Sequence, residues 1–587
     1  MAFADKAHMQ HRLFAELSRM FGLEVPLYHK ALLVNRVCNT AACDLLAQVY
    51  KGFSITDEQL DKTSGERHGA IRIGRPDEYR WVCRFFAAFD MQPHNFYDMA
   101  SVGSKSQPIV ATAFRSTLNP EHRVFTSLLQ TDYFDPETRA RIEAVMAPRQ
   151  VFSDRAKALI EKGEKQGGLE QADADALIRE GTDRIFKWTG KARDHKLYKD
   201  LCDAGFKIAA DIACFESHHL NHLTPNTFCM DLFTSAMKFC MGEITEAAFR
   251  ERATTALERV RATTNRDAMR LLFRHLTRDQ IEAFTPGEPA AGTRGTIARL
   301  VDSLTARLTQ PDLTLKALKH AGFKDFTEGP AWDTPVFLRQ DAYKALTEPV
   351  EFTNADATTT STTHTARFGE IEQRAYACTP KGRALYDACL AAAEAARDKD
   401  PSLPKRDPAA YEAMYSRHFV AFPRSIPALL EQGLIFARYA ATANGLSQRG
   451  RIKVGPAGAD ISHLLRDGYA RYDGLRYEDF LPVSAAGIFA SNLNQYGTKS
   501  TAAVKPTYTQ AALEATLGRA IIDADAAYRG IWAASVLETF EALGLTEQVA
   551  AAAMAELERA AQAAPVGAMA TTPVVPTQAP AMASARR

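Results

Sequence analysis

The stretch "ARFGEIEQRAYACTPKGR", residues 366–383, constrains this chain most, because Glu370 and Glu372 stand two apart in a predicted strand. That spacing puts both carboxylates on one face, where like charges repel. Ionised carboxylates left unpaired in a half-buried strand are costly, so the pair calls for a cation. Arg374, again on the same face, answers for Glu372. Glu370 still needs a partner.

Histidine supplies the other half of a possible answer. His218, His219 and His222 fall together in "ESHHLNHLTPNTFCMD" (216–231), where helical periodicity fails. His68 opens a predicted strand, "HGAIRIG" (68–74), with Arg72 four residues on and on the same face. Neutral imidazole is the commonest metal ligand, and two imidazoles with one carboxylate make the facial triad of non-haem Fe(II) oxygenases. Each of these histidines also reads, taken singly, as an ordinary packed or hydrogen-bonded residue. Donors so far apart in the chain carry no local signature, and the residue pattern alone goes no further than a metal site.

Composition removes several other classes. With 71 Lys+Arg against 70 Asp+Glu the formal charge is +1, so no global field draws in nucleic acid or an anionic membrane. The 9 cysteines are odd in number and include no C-x-x-C pair; the nearest spacing is Cys38 to Cys43 in "CNTAAC". A disulfide framework or zinc ribbon is not expected, and a reducing, cytoplasmic setting is. No secretory leader pattern and no apolar run of roughly 18 residues is visible.

At 587 residues the chain has room for several domains or one elaborated fold. Residues 1–140 predict a small α+β module: amphipathic helices over 9–21 and 29–50, the strand at 68–74, a helix beginning at Pro76, and strands at 108–114 and 122–129. Residues 141–330 read as largely helical and contain the His222 motif. Residues 331–400 bring back strands, with the Thr-rich "NADATTTSTTHT" as an exposed connection between them. Residues 401–562 read as helical around an aperiodic "YEDFLPVSAAGIFASNLNQYG", and 563–587 as a disordered Ala/Pro-rich tail.

Four motifs in this order, "RHGAIRIG", "NHLTP", "RFGEIEQRAYACTPKGR" and "FLPVSAAGIFASNL", resemble those of the 2-oxoadipate dioxygenase/decarboxylase family, also called 2-hydroxyglutarate synthases, within the vicinal-oxygen-chelate superfamily. The resemblance implies an α+β fold, a vicinal-oxygen-chelate core of paired βαβββ units with extensive added helices. It implies mononuclear Fe(II) held by His68, His222 and Glu370. The related 4-hydroxyphenylpyruvate dioxygenases place their glutamate ligand in a similar strand motif ending in Gln-Arg, which lines up with Glu370. Glu372 is then the partner of Arg374, His218 and His219 are supporting or structural residues, and His364 in the Thr-rich run is a weak competitor.

The family also implies that Arg72 binds the acid substrate and that Val483 and Ser484, in "PVSAAG", line its pocket. A guanidinium suits that task because it presents a rigid fork to a carboxylate. The implied reaction converts 2-oxoadipate and O2 to 2-hydroxyglutarate, the D product being expected, and CO2, in lysine breakdown. The partners are then a small 2-oxo dicarboxylate and O2, with no nucleic acid and no membrane. Two other readings share the core: a Zn- or Ni-dependent isomerase or lyase that needs no O2, and a non-catalytic dicarboxylate-binding protein.

Overall fold

The computed structural model describes residues 3–102, 106–116, 122–273, 276, 278–286, 293–316, 327, 329–330, 332–335, 338–342, 346–367, 369–456, 458–476 and 498–564. Its strands are β1 (Tyr50–Lys51), β2 (Glu66–Ile73), β3 (Met91–Asp98), β4 (Ile109–Ser116), β5 (Arg123–Leu129), β6 (Lys191–Arg193), β7 (His222–Pro225), β8 (Thr285–Pro286), β9 (Leu338–Ala342), β10 (Thr347–Thr353), β11 (Thr359–Thr365), β12 (Glu370–Arg374), β13 (Ala437–Ala441) and β14 (Ala470–Gly474). Helices make up much of the rest, so the fold is mixed α/β with small sheets. No described helix is long and apolar enough to cross a membrane.

The central sheet has the order β3-β4-β5-β2-β7. Its first four strands and the helix Pro76–Ala88 follow one another along the chain as β2, helix, β3, β4, β5, a βαβββ unit. The helix starts where the sequence predicts, with Pro76 in its first turn and Asp77 and Glu78 beside the positive end of its dipole. Its apolar stripe, Tyr79, Val82, Cys83 and Phe86, is buried. Ile71, Ile73, Phe114, Val124 and Leu128 meet that stripe from the sheet, and each fully buried side chain of this size contributes about 1.5–3 kcal/mol. Because strand residues alternate, the opposite face is left to His68, Ala70 and Arg72. One side of the sheet therefore holds the fold and the other is available for chemistry.

β7 extends this sheet by pairing antiparallel with β2, Ala70 lying opposite His222. Gly69 permits the approach: a Cβ there would meet Leu223 Cδ2 at 2.8 Å and the His222 carbonyl oxygen at 3.2 Å. β12 runs beside the end of β7, with a parallel bridge between Asn226 and Glu372 and a hydrogen bond from the Thr227 amide to the Glu372 carbonyl at 2.8 Å. Its other edge pairs antiparallel with β9, placing Glu370 opposite Ala342.

The structure corrects three expectations. The Thr-rich run is not a connection: Thr359–Thr365 forms β11 and pairs with β10 from Thr347–Thr365 to Thr353–Thr359. Threonine is β-branched and suits a strand with one wet face. The turn is confined to Asn354–Thr358, closed by the Thr358 carbonyl and by Ala357 at φ 63°. Second, β3 was not expected, because Pro93, Asn95 at φ 57° and the register shift between His94 and Tyr97 break its alternation. Third, the region expected to be helical after 401 contains the antiparallel pair β13–β14. The "PVSAAG" segment and the Ala/Pro-rich tail beyond 564 lie outside the described residues.

Candidate metal centre

His68, His222 and Glu370 arrive from β2, β7 and β12, and their donor atoms lie within 4.8 Å of one another, all buried. His68 Nε2 is 3.7 Å and His222 Nε2 3.5 Å from Glu370 Oε2. The two imidazole rings stand nearly perpendicular, at 87° with centroids 5.8 Å apart. Register explains the convergence. His222 is opposite Ala70, so it shares the face of His68, and Thr224, opposite His68, donates its hydroxyl to Glu370 Oε2 at 3.1 Å. Burial pushes the His222 imidazole down to about 4 despite the opposing Glu370 carboxylate, and nearby His68 and Arg72 push it further the same way. It is thus neutral at pH 7, the form that offers a lone pair to a metal. Two imidazoles and one carboxylate gathered on one side fit a divalent first-row metal.

Glu372 faces a different task. Its Oε2 lies 3.1 Å from His68 Nδ1, while Oε1 accepts from Arg123 Nη2 at 2.9 Å and Arg374 Nε at 2.7 Å. Burial alone would raise its carboxyl; the charges of Arg374, Arg123 and His68 outweigh burial and hold it well below the usual range. Glu372 thus sets a carboxylate against the Nδ1 edge of His68, while Nε2 faces Glu370. The sequence-based pairing of Glu372 with Arg374 is what the structure has, with Arg123 as a second cation that the sequence reading missed.

Beside this centre lies a second buried polar group. Arg72 Nη1 meets Asp211 Oδ2 at 2.5 Å, Asp211 coming from the helix Lys207–Cys214. His219 Nε2 and His364 Nε2 approach Asp211 Oδ1 at 3.4 and 3.5 Å, and Asn221 Nδ2 is 3.4 Å from Oδ2. Burial opposes ionisation of Asp211, but His219, Arg72 and His364 together hold its carboxyl far below the usual range. His364 Nδ1 hydrogen-bonds the Tyr198 hydroxyl at 2.8 Å, and its ring stacks on Trp188. His218 is elsewhere, 3.3 Å from Glu78, which Arg149 grips with two nitrogens at 3.0 and 2.7 Å. His218, His219 and His364 are therefore not in the triad. Val483 and Ser484 lie outside the described residues. Asp211 escaped the sequence reading, although one acidic residue within the apolar run of "IAADIAC" was a usable signal.

A buried cluster of two imidazoles and one carboxylate on the open face of a βαβββ sheet defines a candidate mononuclear metal centre. The chain belongs to the 2-oxoadipate dioxygenase/decarboxylase family, whose model matches residues 13–246 and 296–492. It is 32% identical over 538 residues to the 2-oxoadipate dioxygenase/decarboxylase of Pseudomonas putida, covering 90% of this chain and 95% of that protein. The Escherichia coli protein of the same name is 30% identical over 515 residues, covering 86% and 92%. Among solved structures, the hydroxyglutarate synthase of Pseudomonas putida in complex with 2-oxoadipate matches with a TM-score of 0.63 and 30% identity, covering 92% of this chain and 99% of that one. The chain is accordingly an enzyme, of the oxidoreductase class its family names.

Proposed function

We propose that this enzyme is an Fe(II)-dependent dioxygenase that decarboxylates 2-oxoadipate, giving 2-hydroxyglutarate and CO2 with both atoms of O2 incorporated. The observation that carries the reading is the convergence of His68, His222 and Glu370 from three strands in a chain of this family. In it these three side chains are the metal ligands. Fe(II) held there supplies a Lewis-acidic, redox-active centre for a 2-oxo acid and dioxygen.

The protein's own residues do the positioning. Glu372, beside His68 Nδ1, keeps that ring oriented. Arg72 lies four residues along β2 from His68 on the same face, roughly 13 Å away along the backbone, where its guanidinium receives the substrate's remote carboxylate. Val483 and Ser484, outside the described residues, are the substrate-binding residues of the "PVSAAG" segment on this reading. The burial of His68, His222 and Glu370 keeps bulk water from the reacting end, which protects the oxidant. On the same reading β7, the helix Met230–Met241, β9 and β12 belong to a second unit, with His222 on the first of these strands and Glu370 on the last. The D product and a place in lysine breakdown belong to the same reading.

The test is oxygen uptake by protein loaded anaerobically with Fe(II) and given 2-oxoadipate, with 2-oxoglutarate as control and products identified by mass. One O2 consumed per 2-oxoadipate, with 2-hydroxyglutarate and CO2 formed, is expected. Tightly bound metal without O2 uptake would overturn the reading in favour of an isomerase or lyase.

A further inference from the structure

Arg72 is almost fully buried, and a buried guanidinium needs a counter-charge and a fixed geometry. Asp211 supplies both, and it is itself held from three directions: by His219 and Asn221 in the segment before β7 and by His364 on β11. Trp188 packs against both histidines, its ring centroid 4.7 Å from His219 and 5.6 Å from His364. Asp211 therefore has little freedom to move. Arginine has five N–H donors in a planar fork; engaging Nη1 sets the plane and direction of the whole group.

We propose that Asp211 is a positioning residue that sets substrate length. By fixing Arg72 relative to His68, His222 and Glu370, it sets the distance at which a remote carboxylate is recognised, so that a six-carbon 2-oxo dicarboxylate fits and its five-carbon homologue does not. This rests on the reading of Arg72 as the carboxylate-binding residue. Without Asp211 the guanidinium loses the anion that fixes its direction, the remote carboxylate loses its set anchor, and the cost falls on substrate affinity and on discrimination between chain lengths. The metal ligands are untouched by the change, because Asp211 contacts none of them among the interactions described above.

The experiment compares wild type, Asp211→Asn, Arg72→Gln and the double variant, each as Fe(II)-loaded protein, with metal per chain measured alongside kcat and KM for 2-oxoadipate and 2-oxoglutarate. Affinity is read independently of turnover by titrating 2-oxoadipate calorimetrically into Co(II)-loaded protein without O2. Asp211→Asn should weaken binding and raise KM for 2-oxoadipate about tenfold, the value of one lost charge-assisted contact, with metal content unchanged. The preference for 2-oxoadipate over 2-oxoglutarate in kcat/KM should fall with it. In the Arg72→Gln background, Asp211→Asn should add nothing further. An unchanged preference in Asp211→Asn, or an equal further loss in the double variant, overturns the proposal for Asp211 alone. Unchanged affinity in Arg72→Gln instead overturns the reading of Arg72. If Asp211→Asn fails to fold because the buried guanidinium loses its counter-charge, the double variant, which removes both charges, is compared with Arg72→Gln, and a lower affinity in the double variant counts against the proposal.

Discussion

Glu372 Oε2 lies 3.1 Å from His68 Nδ1, on the side of the imidazole away from Glu370. The two carboxylates thus flank the imidazole, one facing each ring nitrogen, and on the proposed reading the second of them orients a metal-binding histidine. Glu372→Gln should lower metal affinity about 10- to 100-fold, as measured by competition with a coloured chelator. It should also reduce stability by several kcal/mol, since Arg123 and Arg374 lose their shared anion. Wild-type metal affinity in a folded Glu372→Gln protein would remove Glu372 from the metal centre.

Glu370→Ala and His222→Ala should each abolish stoichiometric metal binding and O2 uptake while leaving the far-ultraviolet circular dichroism unchanged. Each removes one of three donors that lie within 4.8 Å of one another. Metal analysis of the purified variants is the check. Turnover retained by Glu370→Ala would sink the ligand assignment and turn attention to Glu372.

Gly69→Ala should harm the site from the other face of the sheet. The new methyl crowds Leu223 Cδ2 and the His222 carbonyl oxygen, so the Leu223 side chain must turn and β7, with His222, gives way by a few tenths of an ångström. The expected result is a stability loss of about 1–3 kcal/mol by urea unfolding together with weaker metal binding. Unaltered metal affinity would mean that β7 tolerates the displacement.

Acid should destabilise the fold before its carboxylates titrate. Burial and the Arg115 charge push the His94 imidazole down to about 3, against the Gln92 carbonyl that accepts from it. Burial likewise takes His364 down to about 4, with His219, Arg72 and Arg367 adding to it and Asp211 opposing. An unfolded imidazole titrates near about 6.5, so between that pH and the folded value the unfolded chain holds more protons. Stability therefore rises with pH in this window and is lost as pH falls below about 6.5, by up to about 1.4 kcal/mol per pH unit for each histidine. Urea midpoints measured from about pH 7.5 down to about pH 5 should fall, and His94→Gln should flatten the slope. A wild-type midpoint independent of pH would contradict the burial of neutral imidazoles.

Where hydrophobic period and helix signals agree, the sequence is readable: Pro76 opens its helix, and the strands at 108–114 and 122–129 reappear as β4 and β5. The Glu370–Glu372 pair is also legible, because a same-face pair of carboxylates demands partners: Arg374 and Arg123 meet Glu372, and His68 and His222 gather at Glu370. What stays hidden depends on contacts distant in sequence. Arg123 carries no local mark of its bond to Glu372, and β7 is a four-residue strand buried on both faces, too short to show a period. Asp211 is an isolated acid until the fold brings Arg72, His219 and His364 around it.

The three donors come from β2, β7 and β12, and this order has a consequence during synthesis. A chain growing from the ribosome exposes both imidazoles well before Glu370 is made. Imidazole alone serves zinc, copper and nickel as readily as iron, and the hard carboxylate arrives last. On the proposed reading, selection among those ions therefore waits for Glu370 and for the folded chain rather than the growing one.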